Sequence, residues 1–487
     1  MELRPHQSLA IDQLRTSLRT GHKNPILAAP CSMGKTMIAA HIMISAAENR
    51  GKKSVFYCDR SKLVSQAIET FERLGADYSV LQADDWRFDP SKPIQIASIQ
   101  TAVRRQQLDY DLAIIDECHV MYKGMQDFLK AYDAIPHIGL TATPYSKGLG
   151  QHFDDLLVPI TPRELIALGY LCPTDYYCGH KPDLTGVKTR ALSTGGSDYD
   201  PKDLEKVLMA DKVLAGDIIE NYSKHAYGKR AIAFTPSVAH SKSLVDDFNR
   251  AGIPAVHIDG MMPQDERDVI YRGFSDGLYK ICCCSRLLTV GFDDPGVEVL
   301  IDAAPSRSVI RTVQVAGRIW RTSPGKERAI YLDHAGNIER LGMFPEDVIP
   351  ESLDDGEQRF SEKNQTKKEK KEAEPKQCPQ CTRMYVGRCV CGYERPRMEK
   401  VHTDDQELKK LDTDVMRAWL ASLQLHAHNK GYQRGWVYHT FKEKFKMAPP
   451  SSWPAPASEV SSDVKGYIKH LQIKRAKSND RKNSSRY

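Results

Sequence analysis

Short apolar runs alternate with longer stretches of helical period through the first third of the chain. PILAA (25–29), SVFYC (54–58), IQIAS (94–98) and LAIID (112–116) are largely apolar runs that predict buried strands. Between them, MIAAHIMISAAE (37–48) and SKLVSQAIETFERLG (61–75) bring apolar residues round every three or four positions and predict helices. Strands alternating with helices predict a parallel sheet covered on both faces. The pattern returns in AIAFT (231–235), AVHID (255–259), KICCCS (280–285), VEVLIDA (297–303) and RAIYLD (328–333). The expected fold class is therefore α/β, with two tandem parallel-sheet lobes.

The pattern divides the chain into a first lobe at 1–150, a connection at 151–174 and a second lobe at 175–345. A charged linker at 351–377 holds eight acids and seven bases, a composition that stays solvated. A cysteine-rich stretch at 378–394, a helical module at 405–447 and a basic tail at 463–487 follow. A polar insertion, 183–201, interrupts the second lobe without an evident use.

At 487 residues the length alone suggests about three domains. No apolar run approaches the roughly 20 residues of a membrane span. The opening MELRPHQSLAIDQLR lacks the apolar stretch of a signal peptide, so a cytoplasmic chain starting near Met1 is expected. A net charge of +6 permits a polyanionic partner without requiring one.

APCSMGKT (Ala29–Thr36) lies between the strand PILAA and a helix, where loop amides and a helix N-terminus gather phosphates. Ala29 stands where the usual G-x4-G-K-T pattern has its first glycine. Ala29, Pro30, Cys31, Ser32, Met33, Gly34, Lys35 and Thr36 are the expected ATP-binding residues. Lys35 should reach the β- and γ-phosphates, and the Thr36 hydroxyl should ligate Mg²⁺.

Asp116 and Glu117 of DECH end a strand, the edge at which parallel sheets bind ligands. Asp116 suits the Mg²⁺ and Glu117 the activation of an attacking water. Gln314, Arg318 and Arg321 of QVAGRIWR are spaced i, i+4 and i+7, which predicts one helix face. A row of surface ion pairs would use the same spacing. The second lobe has no Gly-Lys-Thr loop, however, so arginines reaching the first lobe's nucleotide would have transition-state charge to stabilise.

The twelve cysteines form two classes. Cys31, Cys58, Cys118, Cys172, Cys178 and Cys282–Cys284 sit in apolar stretches and read as reduced core residues. Cys378, Cys381, Cys389 and Cys391 form two close pairs that suit tetrahedral structural Zn²⁺, the second as C-x-C rather than C-x2-C. An iron–sulfur cluster uses four thiolates at other spacings. Trp419, Trp436, Tyr438 and Phe441 could stack on bases, although aromatics at helical spacing more often form core.

With TATP (Thr141–Pro144) and TVGFDDP (Thr289–Pro295), these motifs resemble superfamily 2 helicases of the DExH type over roughly residues 1–345. The resemblance implies two RecA-like lobes closing on ATP. LRPHQ (Leu3–Gln7) would put Arg4 and Gln7 near the base, with Asp293 near the ribose and Gly291 near the phosphates. His119, Thr141 and Thr143 would couple hydrolysis to lobe movement. CDRSKLVSQ (58–66), SIQT (98–101), FTPS (234–237) and CSRLLTVG (284–291) would line a nucleic-acid strand.

The order of helicase core, LDHAGN (332–337), charged linker and cysteine cluster is similar to the bacterial RadD-like and phage-encoded DNA helicases, and GYQRGW with FKEKF (431–445) to their phage-borne tails. That implies an ATP-dependent DNA helicase or translocase in recombination, replication or branch migration. An RNA helicase, or a nucleotide-gated module that recruits recombination or replication proteins without unwinding, are the alternatives.

Overall fold

The computed structural model describes residues 3–105, 108–121, 123–179, 182–192, 197–210, 212–285, 294–355, 376–377, 384–385, 409–445 and most of 447–471. One compact unit comprises Met1–Asp355 with Glu407–Tyr487, and a second comprises Gly356–Gln406.

The first lobe runs α1 (Pro5–Arg19), β1 (Pro25–Ala28), α2 (Lys35–Arg50), β2 (Ser54–Cys58), α3 (Ser61–Arg73), β3 (Tyr78–Leu81), β4 (Ile94–Ser98), α4 (Ile99–Arg105), β5 (Leu112–Asp116), α5 (Lys123–Ala131), β6 (His137–Thr141) and β7 (Asp155–Leu157). Its seven strands lie in the order β3-β4-β2-β5-β6-β1-β7, all parallel. Every residue of β2, β4 and β6 is buried, as a sheet covered on both faces requires. Alternate residues of β2 serve opposite cores: Phe56 packs with Ile38 and Phe71, and Tyr57 with Ile115 and Phe128.

After α6 (Pro162–Ala167), the second lobe opens with β8 (Thr174–Cys178). The polar insertion forms a hairpin of β9 (Thr189–Ala191) and β10 (Ser197–Tyr199). There follow α7 (Pro201–Ala210), α8 (Lys212–His225), β11 (Ala231–Phe234), α9 (Val238–Arg250), β12 (Ala255–Ile258), α10 (Gln264–Ser275), β13 (Ile281–Cys284), β14 (Val299–Asp302), α11 (Val309–Ala316), β15 (Ala329–Asp333) and α12 (Asn337–Leu341). The helix α9 starts where Ser237 accepts a hydrogen bond from the His240 amide, an N-cap in the usual sense.

The second unit contributes β16 (Lys376–Gln377) and β17 (Met384–Tyr385), an antiparallel pair. The chain then supplies β18 (Lys409–Leu411), α13 (Thr413–Lys430) and α14 (Arg434–Phe445). β18 pairs antiparallel with β8 and completes a second seven-stranded sheet, β12-β13-β11-β14-β15-β8-β18. The helices expected at 405–447 are thus built onto the second lobe. Trp419 of α13 and Phe441 of α14 are buried core residues, whereas Trp436 is half-buried and Tyr438 exposed.

The eight cysteines outside the 378–394 stretch are free thiols; Cys31 and Cys178 are half-buried and the others buried. Cys378, Cys381, Cys389 and Cys391 lie outside the described residues. Among the described residues, no group of three or more His, Cys, Asp or Glu side chains is placed to hold a metal ion. None of the described helices is long and apolar enough to cross a membrane.

Candidate active site

The loop from Ala29 to Gly34 borders a cavity of about 690 Å³ walled by both lobes. Ala29 is buried, and its amide donates to the Thr141 carbonyl at 2.8 Å, which ties the loop to β6. Gly34, at φ +92°, begins α2; a Cβ there would stand 2.4 Å from Gln7 Nε2. Only glycine tolerates both the left-handed backbone and that approach. Gln7 accepts from the Arg4 amide at 2.9 Å and donates to the Met33 carbonyl at 3.0 Å, pinning the loop to α1. Cys31, Ser32, Gly34, Lys35 and Thr36 line the cavity, as do Arg4 and Gln7; Ala29, Pro30 and Met33 do not.

Lys35 holds the two carboxylates at the end of β5. Its ammonium lies 2.6 Å from Glu117 Oε1 and 3.8 Å from Asp116 Oδ1. Burial pushes Asp116 up to about 6, Lys35 opposing and Glu117 reinforcing the shift. Burial works against the Glu117 charge too, but Lys35 and His119 outweigh it and hold that carboxyl well below its usual range. Two adjacent acids thus have different proton affinities, and Glu117 is the one kept ionised. Glu117 and Ser32 are non-glycine residues in left-handed backbone, at φ +50° and +66°. Such strain costs on the order of 1 kcal/mol and collects at ligand sites. Ser32 Oγ is buried without a hydrogen bond, and Glu117 Oε2 is buried with His119 Nδ1 at 3.2 Å. Ser32, Thr36, Asp116 and Glu117 line one cavity with Lys35, an oxygen-rich set beside an ammonium that fits a phosphate chain with Mg²⁺.

A polar chain leads from Glu117 into the second lobe. His119 Nδ1 lies 3.2 Å from Glu117 Oε2 and is hydrogen-bonded to Thr141 Oγ1 at 2.9 Å. Thr141 Oγ1 also accepts from the Thr143 amide at 3.0 Å. On its other edge, His119 Nε2 is 3.2 Å from Gln314 Nε2 of α11. His119, Thr141 and Thr143 are buried, so water does not compete for these contacts.

Gln314, Arg318 and Arg321 do not share a helix face. α11 ends at Ala316, and Arg318 and Ile319 turn back to the carbonyls of Val315 and Ala316 at 3.1 Å. Arg321 already lies in a bridge to Leu171. The reason is packing: Gly317 sits against the phosphate loop, where a Cβ would come within 2.6 Å of Cys31 Sγ. The chain bends at that contact, leaving Gln314 with His119 while Arg318 and Arg321 line the cavity opposite Lys35. Of TVGFDDP, Pro295 lines the cavity; Gly291 and Asp293 lie outside the described residues. The α3 residues Leu63 and Gln66, expected along a nucleic-acid path, border this cavity too.

Two features were not foreseen. Tyr170, in the connection, closes one end of the cavity, with the Arg4 guanidinium 4.9 Å from its ring centre and the His6 ring 4.8 Å away edge-on. An aromatic ring and a guanidinium offer flat faces to a planar ligand. The second is Asp302, at the end of β14. It is wholly buried and accepts two bonds from Arg311, at 2.7 and 3.0 Å, with further bonds from Tyr331 and Asn337. The Arg311 charge outweighs burial and keeps Asp302 below the ordinary carboxylate range. This pair anchors α11 beneath Gln314.

The comparisons with known proteins fall on the same two lobes. The family model "Type III restriction enzyme, res subunit" matches residues 1–146, and "Helicase conserved C-terminal domain" matches 212–323. A 51.5 kDa protein of a Lactococcus phage (isolate 7-9) is 26% identical over 482 residues, covering 93% of this chain and 98% of its own. IRC3 of Saccharomyces cerevisiae, an ATP-dependent helicase by name, is 27% identical over 361 residues, and the match spans 69% of this chain but only 51% of IRC3. Among solved structures, the ATP-dependent Type ISP restriction-modification enzyme LlaBIII bound to DNA aligns with a TM-score of 0.51 at 16% identity. That alignment covers 68% of this chain and 27% of the enzyme, and shows the shared fold. A restriction-enzyme subunit model on the first lobe, a helicase model on the second and a cavity lined by both identify a superfamily 2 helicase core, that of a nucleic-acid-dependent ATPase.

Proposed function

We propose that the chain is a DNA translocase or helicase that closes its lobes on ATP and opens them on hydrolysis. The observation that carries this reading is the 3.2 Å contact between His119 and Gln314, which joins the Glu117 cluster to the opposite lobe. Lys35 and the loop amides would bind the phosphates, Thr36 and Asp116 the Mg²⁺, and Tyr170 with Arg4 the base. Mg²⁺, when bound, would supply charge neutralisation for the phosphates. Glu117, kept ionised, would take the proton of the attacking water. Arg318 and Arg321 would stabilise the charge developing on the phosphates, which makes turnover depend on lobe closure. His119, Thr141 and Thr143 would relay that closure.

DNA is the favoured polymer because the first lobe matches a restriction subunit, and a neighbour of the same fold is bound to DNA. The order of core, LDHAGN segment, charged linker and cysteine cluster supports a nearer kinship with the RadD-like enzymes, and hence a part in recombination or replication. A zinc ribbon is also proposed. β16 and β17 pair in register, Lys376 opposite Tyr385, and flank Cys378 and Cys381 in sequence. About one equivalent of zinc by elemental analysis is the expected result.

The reading as a whole is tested by ATP turnover with single-stranded DNA, duplex, fork, Holliday junction and RNA, alongside strand displacement on the fork. Stimulation and displacement by DNA are expected. Stimulation by RNA alone would make the polymer RNA, and stimulation without displacement would leave a gated binding module.

A further inference from the structure

The turn that follows Arg321 brings a lysine back to it. Ser323, Pro324, Gly325 and Lys326 form a tight reversal, closed by the Lys326 amide on the Ser323 carbonyl at 3.0 Å, with Gly325 in left-handed backbone at φ +79°. Proline followed by a glycine of positive φ is the pattern of a type II turn. The reversal places the Lys326 ammonium on the Arg321 carbonyl at 2.8 Å. The same ammonium donates to the Val297 carbonyl at 2.6 Å and to that of Pro295 at 3.4 Å. Its three N–H donors thus meet three backbone carbonyls.

Those carbonyls come from two separate segments that reach the nucleotide cavity, since Pro295 and Arg321 both line it. The first segment is already fixed from its far side. Arg230 grips Asp294 with bonds at 2.6 and 3.1 Å, and Gly296 leaves room for that guanidinium: a Cβ there would stand 1.7 Å from Arg230 Nη2. Arg321 follows the bend at Gly317, beyond the end of α11, in a bridge to Leu171. Lys326 ties this stretch to the one that Arg230 holds. Burial lowers the lysine to about 8, with Cys172, Glu298 and Asp294 opposing and Arg321 reinforcing the shift. The two carboxylates do not neutralise it directly, because Glu298 is paired with Lys229 and Asp294 with Arg230. The cation is therefore kept for the carbonyls it joins.

We propose that Lys326 is a positioning residue for ATP hydrolysis: by clamping the Arg321 carbonyl to those of Pro295 and Val297, it sets the Arg321 guanidinium where charge develops on the phosphates. The proposal rests on the reading of Arg321 as a residue that stabilises that charge. A long side chain reaches a fixed point only from a fixed backbone, and a misplacement of about 1 Å can cost about 10²-fold in rate. The test measures ATP turnover of the full chain, with the nucleic acid that stimulates it best, in Lys326→Met, Lys326→Gln and Lys326→Arg. Each variant is made with and without Arg321→Ala.

Lys326→Met should lower kcat by about 10²-fold. Its KM for ATP should stay within about twofold of wild type, because the lost interaction belongs to the transition state. Lys326→Gln, with two donors on a shorter stem, should lose less, and Lys326→Arg, which keeps the cation, should lose least. With Arg321→Ala in place, none of the three should cause a further loss, since residues that act as one are not additive. A wild-type kcat in Lys326→Met overturns the proposal. So does a loss by the same factor in the Arg321→Ala background, or a KM that rises as kcat falls in all three variants, either of which marks a structural role. Arg321→Ala at the wild-type rate overturns instead the reading of Arg321, a result distinct from an inert Lys326 beside an essential Arg321.

Discussion

The two lobes set equivalent strands in equivalent places and then use them for opposite ends. Read from the same edge, β3-β4-β2-β5-β6-β1 matches β12-β13-β11-β14-β15-β8 position for position, while the seventh strand is parallel in the first lobe (β7) and antiparallel in the second (β18). The fourth strand of each ends in an aspartate, Asp116 in β5 and Asp302 in β14. Asp116 borders the nucleotide cavity, raised to about 6 by burial and held only loosely by Lys35 at 3.8 Å. Asp302 is sealed in by Arg311, Tyr331 and Asn337. β1 runs into the phosphate loop, whereas β8 runs towards the hairpin. One frame thus serves as a receptor when its strand-end charge is left available, and as a rigid presenter of side chains when that charge is consumed internally. A fold alone does not decide which.

Exchanging the same atom at the two strand ends should break the symmetry most plainly. Asp116→Asn should lower ATP turnover by about 10³-fold, since it removes the carboxylate proposed to hold Mg²⁺, while its denaturation midpoint stays near wild type. Asp302→Asn should do the reverse and lose about 3 kcal/mol, because Arg311 would be left buried without its counter-charge. If Asp302→Asn lost turnover at unchanged stability, or Asp116→Asn unfolded, the contrast between the lobes would be wrong.

A smaller effect should come from Glu346, which receives the Tyr176 hydroxyl in the second lobe. Burial raises this acid from 4.5 to about 7. Its stabilising share is therefore complete below about pH 4.5 and is lost as pH rises through about 7. Glu346→Gln should gain on wild type by about 2 kcal/mol between pH 5 and pH 8 in urea melts. A gap independent of pH would contradict that. The smallest effect concerns the link between lobes: Gln314→Ala should lower nucleic-acid-stimulated turnover about tenfold, within the usual range of coupling energies. The KM for ATP should hardly change, and an equal loss without nucleic acid would show that Gln314 does not transmit.

The long apolar runs made most central strands legible, because β2, β4, β11, β13 and β14 are buried on both faces and carry little else. The edges were not. β18 is Lys-Lys-Leu, three residues paired with a strand more than 200 positions earlier, and no local pattern encodes that partner. Lys35, Asp116 and Glu117 meet because each follows the end of a strand, and a parallel sheet brings those ends to one edge although the residues are far apart in sequence. Arg318 and Arg321 line the cavity but do not share a helix face with Gln314, because α11 ends at Ala316 where the phosphate loop meets Gly317, a contact between segments about 285 residues apart. Tyr170 was missed for a similar reason: a lone tyrosine in a connection carries no signal until α1 is folded beside it.

The meeting of Gly317 with Cys31 gives the interface a gauge of its own. Cys31 is half-buried, its thiol directly under the one residue that leaves room for it. A methyl group added at 317, or an alkyl group on the sulfur, would act as a shim of known thickness between the jaws. The rate at which a small thiol reagent finds Cys31 would then count how often the jaws part, turning a packing detail into a stopwatch for the cycle.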